Sequence, residues 1–335
     1  MPSPLLVTLG EALIALYPEA HRPLAEAQTF GSDVGGAEFN VATSLARLGL
    51  PTAWVSRLGA DGFGERILRV ADDAGMDVSA VERDESRPTG LYIKESTVAP
   101  EGVRTRMHYH RRDSAAAAID ADLLRRGNAA SLLQRATHVH TSGITAALSS
   151  TAAAATGGLR DAVSPDAMIS VDLNHRPRLW EGRDTAPLDA LVAQADLLFA
   201  GHDEAGAYFG HADPARLFAS FPQLTAIVLK HDAHRASVHR RDGQETDVPC
   251  LSVEVVEPVG AGDAFAAGFL AGLAEGRDDE ACLRLGHALA AATLIGHGDR
   301  PLTVPTVAER ETIARAAGAW SGWRVHPGEL PWRSA

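Results

Sequence analysis

The run Glu257 to Leu270, EPVGAGDAFAAGFL, puts a single carboxylate at the mouth of an apolar helix, behind a loop almost without side chains. A helix beginning near Gly262 leaves its first amides without intrahelical partners. Gly260, Ala261 and Gly262 keep that backbone uncovered, so several N–H groups converge on an anion with the helix dipole behind them. Asp263 then stands beside the anion. A cradle of amides next to one base suits phosphoryl transfer to an alcohol. The amides hold oxygens as charge shifts, and Asp263 orients the hydroxyl and takes its proton. A carboxylate at a helix N-terminus is expected to be more acidic than usual, which suits a late proton transfer. A glycine turn followed by an N-capping Asp has the same residues, so this segment alone leaves both readings open.

Two further segments carry groups that could face such a site. GGAEFNVATSLARLG, Gly35 to Gly49, is a glycine pair, then Asn40, then helical spacing. The pair of Gly35 and Gly36 lets backbone approach a small polar ligand closely, and Asn40 both donates and accepts. VDLNHRPRLW, Val171 to Trp180, sets Asp172, Asn174 and Arg176 at the end of an apolar run. Arg176 is suited to a bidentate grip on a carboxylate. Each segment alone also fits a plain helix start or a surface arginine.

The elements around these residues read as an α/β chain. LLVTLGEAL, TAWVSRLG, HVHTSG, MISVDLN, DLLFAG and AIVLKH have the character of strands. NVATSLARLG, FGERILRVADDAG, TAAAATGGLRDAV and LDALVAQA have helical spacing. This alternation predicts a mostly parallel sheet covered on both faces, with ligands at the carboxyl ends of its strands. TGLYIKESTVAPEGVRTRMHYHRRDSA breaks the pattern and reads as a hairpin turning at VAPEG. In its second arm Met107, Tyr109 and Arg111 share one face, and Arg106, His108, His110 and Arg112 the other. The Trp-rich end, WSGWRVHPGELPWRSA, reads as a docked C-terminal segment.

The 335 residues, 45% of them hydrophobic, suffice for one large domain. A net charge of −12 without a basic stretch argues against nucleic acid as a partner. With only Cys250 and Cys282 there is no disulfide framework, and a cytoplasmic setting is expected. No Cys/His cluster has zinc spacing. The N-terminus reads as a core strand interrupted by Glu11, not a signal peptide, and no apolar run predicts a membrane span. Lysine occurs only at Lys94 and Lys230.

Together the glycine-pair segment and GAGDAFAAGF resemble the two signatures of the ribokinase-like (PfkB) carbohydrate kinases, and the resemblance spans about residues 5 to 310. It implies a Rossmann-like three-layer α/β/α sandwich with a small β-sheet lid, ATP and Mg²⁺ as cofactors, and transfer of phosphate to a primary hydroxyl of a sugar, nucleoside or sugar acid. On it, residues 1–320 form one kinase domain with a lid from about 12–34 and 88–115, and 321–335 form an extension. YHRRDSA and the DxNxRxxLW run from Asp172 to Trp180 are similar to the sugar-acid branch, which phosphorylates 2-keto-3-deoxygluconate and close relatives. That likeness implies Tyr92, Tyr109, Arg111 and Arg176 as substrate contacts, with Gly35, Gly36, Asn40 and Asp299 beside them. Two converging guanidinium groups also suit the carboxylate of a keto acid.

Other positions follow the family in part. Glu204, in GHDE, matches a residue that organises water on the magnesium ion, although Gly201 stands where an Asn is common. Lys230 and the glycines Gly260 and Gly262 are implied for ATP, but KHDAHRA carries Asp232 and Arg235 in place of two glycines. His287 stands where an Asn near adenine is usual. Glu257-Pro258 replaces a frequent Asp-Thr, which weakens the case for a monovalent cation. A homodimer paired through its lids is the expected assembly. The alternatives are a kinase of this fold acting on fructose, ribose, a nucleoside or 5-dehydro-2-deoxygluconate, and a non-catalytic sugar or nucleotide sensor. A nicotinamide-dependent dehydrogenase is disfavoured, since no G-x-G-x-x-G follows the first strand.

Overall fold

The computed structural model describes residues 4–19, 22–99 and 102–333. Pro100 and Glu101, at the expected VAPEG turn, lie outside the described residues, as do Ser334 and Ala335 of the C-terminal segment. In chain order the strands are β1 (Leu6–Leu9), β2 (Leu13–Pro18), β3 (Phe30–Gly35), β4 (Thr52–Gly59), β5 (Val81–Asp84), β6 (Leu91–Ala99), β7 (Gly102–His110), β8 (His138–Ser142), β9 (Met168–Asp172), β10 (Leu197–Gly201), β11 (Ala226–His231), β12 (Arg235–Arg240), β13 (Glu245–Pro249), β14 (Ser252–Val253) and β15 (Arg324–Val325).

Nine of them form the main sheet in the order β13-β12-β11-β10-β9-β8-β1-β4-β5. It is parallel from β5 to β11 and closes with an antiparallel hairpin, β12 and β13. Helices cover both faces, so strands such as β1 and β8 are buried along their whole length. Between β1 and β8 the chain reverses its direction of winding, because β1 is followed on one side by β4 and met on the other by β8. A crevice at the carboxyl ends is the natural ligand site of such a sheet.

A second sheet, β3-β2-β6-β7, stands apart from the first. It pairs β2 with β3 and β6 with β7 antiparallel, and β2 with β6 parallel. The run LLVTLGEAL, read from sequence as one strand, is therefore divided between two, and the break runs from Gly10 to Ala12. The reason is steric. A Cβ on Gly10 would lie 2.2 Å from Cδ of Glu38, so only glycine lets the chain pass before it leaves the main sheet. The C-terminal segment packs into the core: Trp320, Val325, Leu330 and Trp332 are buried with the helices Ala261–Ala274 and Asp279–Leu294, and β15 pairs with β14. Among the described residues no helix is long and apolar enough to cross a membrane.

Glu38 ties the helix Ala37–Arg47 to the switch point. Its Oε1 accepts from the Ser142 amide at 3.0 Å, the Ser142 hydroxyl at 2.6 Å and the Thr145 hydroxyl at 2.7 Å. Burial pushes this carboxyl up to about 7 against those hydrogen bonds. A raised carboxyl stabilises the fold fully below its unfolded value, and the contribution is lost as pH rises through the folded value. Glu38→Gln keeps the accepting oxygen and removes the charge. It should therefore be more stable than the parent above about pH 8, by on the order of 3 kcal/mol, with the difference closing toward about pH 5. Thermal melts across that range give the answer, and a difference independent of pH would show that Glu38 is not protonated on folding.

Candidate active site

The helix Ala261–Ala274 starts at Gly260, whose φ of +80° is in the left-handed region. A Cβ there would lie 1.9 Å from the Asp299 carbonyl oxygen, so glycine is required both for the conformation and for the contact. The first backbone bond into the helix is Ala264 N–H to Gly260 O at 2.9 Å. The amides of Ala261, Gly262 and Asp263 precede it and have no intrahelical acceptor. Gly262 is exposed, and a Cβ on it would meet Lys230 Nζ at 3.6 Å, so the one ammonium from the main sheet stands beside these amides.

Asp263 follows. Asn40, buried in the helix Ala37–Arg47, donates from Nδ2 to Asp263 Oδ2 at 2.9 Å, which joins the two signature segments directly. The carboxyl is hemmed in by protein yet keeps part of its surface open. Burial pushes it up to about 7. The Asn40 hydrogen bond and Lys230 pull it down, while Asp172 and Asp299 push it further up. The acidity expected of a helix N-terminus is thus overturned: lost solvation and two neighbouring carboxylates outweigh the dipole.

Asp172, at the carboxyl end of β9, is buried, and its Oδ2 accepts from Lys230 Nζ at 2.9 Å. Burial works against the Lys230 ammonium, but Asp172, Glu204 and Asp263 together hold its pKa above the ordinary value. Glu204 accepts from the His175 amide at 2.6 Å and the Gly201 amide at 3.0 Å, so it fixes the turn that leads to Arg176. Burial and the nearby Asp172 raise its pKa. Lys230 to Ala236 forms a tight hairpin in which Asp232 itself takes a φ of +47°, so a side chain occupies a conformation that glycine would adopt freely.

The second sheet closes over this edge. Tyr92 is buried and donates to Asp299 Oδ2 at 2.5 Å. A Cβ on Gly35 would lie 2.8 Å from that same oxygen and 3.0 Å from the Tyr92 hydroxyl. Gly36, at a φ of +131°, leaves only 2.4 Å between such a Cβ and the Glu11 carbonyl. Tyr109 pairs across from Tyr92 with ring centroids 5.5 Å apart and is half exposed. The Arg111 guanidinium lies 4.6 Å from the centre of the Tyr109 ring and is ion-paired to the wholly buried Glu11. Arg176 is exposed and has no side-chain partner among the described residues.

The structure thus gathers Gly35, Gly36, Asn40, Tyr92, Asp299, Gly260, Gly262, Lys230 and Asp263 through direct contacts. Ala261 contributes only its amide. His287 does not fit its expected place. It is buried, bonded to the Val248 carbonyl at 3.0 Å, and packed against Phe265 and Trp320 at 5.2 and 6.3 Å. The C-terminal segment turns this ring into a core group, and burial lowers its pKa to about 4. Three groups went unassigned from sequence: Glu11, Lys94 and Glu257. Glu11 was visible only as a charge interrupting an apolar strand, and Lys94 only as one of two lysines.

The pattern of the pfkB family carbohydrate kinases matches residues 3–306. The chain is 31% identical over 320 residues to a 2-dehydro-3-deoxygalactonokinase of Haloferax volcanii, covering 93% of this chain and 98% of that protein. It is 31% identical over 299 residues to a 2-dehydro-3-deoxygluconokinase of Bacillus subtilis, covering 88% and 90%. Among solved structures, the PfkB protein from Polaromonas sp. JS666 superimposes with a TM-score of 0.77 at 29% identity, over 93% of this chain and 99% of that one. The chain belongs to the pfkB family of carbohydrate kinases.

Proposed function

We propose that this kinase transfers the γ-phosphoryl group of ATP to the terminal primary hydroxyl of a 2-keto-3-deoxy sugar acid, of gluconate or galactonate configuration. The observation that carries the reading is the Asp263 carboxyl, held by Asn40 and pushed up to about 7, beside three amides without intrahelical acceptors. The curated relatives named for such acceptors, about 31% identical over most of the chain, support the substrate class.

In this reading the amides of Ala261, Gly262 and Asp263 and the Lys230 ammonium hold the transferring phosphoryl oxygens. Asp263 in its ionised form accepts the acceptor's hydroxyl hydrogen, orients the oxygen for in-line attack and takes the proton as the new P–O bond forms. The acid's carboxylate lies toward Arg176 and the free donors of Arg111, whose charge Glu11 already balances. Tyr109, on the lid, covers the sugar. Among the described residues no group of three or more His, Cys, Asp or Glu stands ready to hold a metal. Glu204 spends one lone pair of each oxygen on backbone amides and keeps the others. That donor set fits Mg²⁺ carried by the nucleotide's phosphates and reached from Glu204 through water. The ion, when bound, neutralises charge on the β- and γ-phosphate oxygens.

Asp263 must be ionised to act, so kcat/KM should rise with pH along an acid limb near 7 and then level. Asp263→Asn should bind the acceptor within about threefold of the parent while turnover falls by roughly three orders of magnitude. ADP release measured against pH tests both, and near-parental turnover of the variant would remove Asp263 from the chemistry. Arg176→Ala should raise KM for a 2-keto-3-deoxy acid by at least about tenfold and leave neutral sugars within about threefold. A panel of acids and neutral sugars with ATP-Mg decides this. Equal losses on both classes would sink the carboxylate grip, and no turnover on any acceptor would favour a sensor.

A further inference from the structure

The lid reaches the phosphate site through a pair of residues with no role so far. Lys94 lies on β6 two positions beyond Tyr92, so both side chains project from one face of the second sheet. Its ammonium is ion-paired to Glu257, and the two side chains are 11% and 14% exposed. An ammonium so little hydrated needs a carboxylate to stay charged. Glu257 opens the loop that ends at Gly260. Its Oε1 accepts from the Val259 amide at 3.3 Å, and the amides of Val256 and Glu257 donate to the Leu294 carbonyl at 2.7 and 3.1 Å. From the other side, Tyr92 holds Asp299, whose backbone carbonyl rests against Gly260. Two side chains of one lid strand therefore end on the same turn, the one that aims the free amides.

We propose that Lys94 and Glu257 form a latch that couples closure of the lid to completion of the anion hole, with Lys94 as a positioning residue and a built-in counter-cation. When β6 is seated, the Glu257 charge is cancelled and the loop from 257 to 260 is fixed. When β6 lifts, the ammonium leaves with it. A carboxylate four residues before the first of the free amides then stands bare toward the incoming phosphates, and like charge disfavours their binding. Phosphates are thus held for transfer only under a closed lid, when the acceptor is enclosed and water is shut out.

The turnover part of this idea rests on the kinase reading; the seating of the lid does not. Lys94→Met, Lys94→Arg, Glu257→Gln and the double variant Lys94→Met with Glu257→Gln separate the possibilities. Hydrogen exchange of β6 amides is measured first, in protein without nucleotide or acceptor. Lys94→Met should exchange faster there by about tenfold or more, and Lys94→Arg should retain most of the protection. In ADP-release assays Lys94→Met should lose about tenfold or more in kcat with acceptor KM within about threefold. The double variant should recover part of that loss, because it removes the bare carboxylate as well as the ammonium. Parental exchange in Lys94→Met, or strictly additive costs in the double variant, would overturn the latch. Wild-type inactivity on every sugar acid would instead overturn the acceptor assignment and leave the exchange result standing. If Lys94→Met does not fold, faster β6 exchange in Glu257→Gln carries the same test.

Discussion

The hydrogen bond from Asn40 to Asp263 is the contact on which the site depends, because it holds a carboxyl that is expensive to place. A helix start offers Asp263 a favourable dipole, and Asn40 offers it a donor. Against these stand the water it has lost and the fields of Asp172 and Asp299. The balance leaves the group poised near neutrality, where a carboxyl is a far better proton acceptor than an ordinary aspartate. Every neighbour serves that balance. Lys230 stops the cluster of carboxylates from accumulating uncompensated charge, and the glycines at 35, 36 and 260 let three backbones crowd to distances that any side chain would forbid.

The site is also where the two sheets meet. The main sheet delivers Asp172, Gly201 and Lys230 from the carboxyl ends of adjacent strands, and the switch point between β1 and β8 makes room for the glycine pair. The lid delivers Tyr92, Lys94 and Arg111, each already bonded to a carboxylate of the body: Asp299, Glu257 and Glu11. Removing either partner of such a pair strands a charge or donor in a poorly hydrated place, which costs more than the pair itself contributes. These polar pairs add to an apolar seat, since Ile14 and Val34 of the second sheet are buried in one cluster with Phe39 and Trp54 of the body.

The segments GAGDAFAAGF and GGAEFN were legible as glycine turns opening helices, because glycines that admit backbone contacts and a lone acid at a helix start are local features, and only the two together pointed to a family. The alternation of apolar runs with helical spacing likewise announced the parallel sheet, and the period of two in the lid strand put Tyr109 on one face with Arg111. Partnership was not legible. Nothing near Arg111 in the chain points to Glu11, a hundred residues away, and nothing near Lys94 points to Glu257. His287 read as a nucleotide contact because its position in the helix matched one, while the C-terminal segment that buries it is distant in sequence.

By itself the order of residues determined the fold class and the glycine turn that opens a helix with an acid beside it, since propensity, periodicity and glycine placement act over short spans. Only the tertiary structure decided how acidic Asp263 is, which charges are already spent on one another and which face of the lid meets the body. Those quantities depend on solvent removed and on fields summed over groups far apart in the chain, and both come into being only when the layers close.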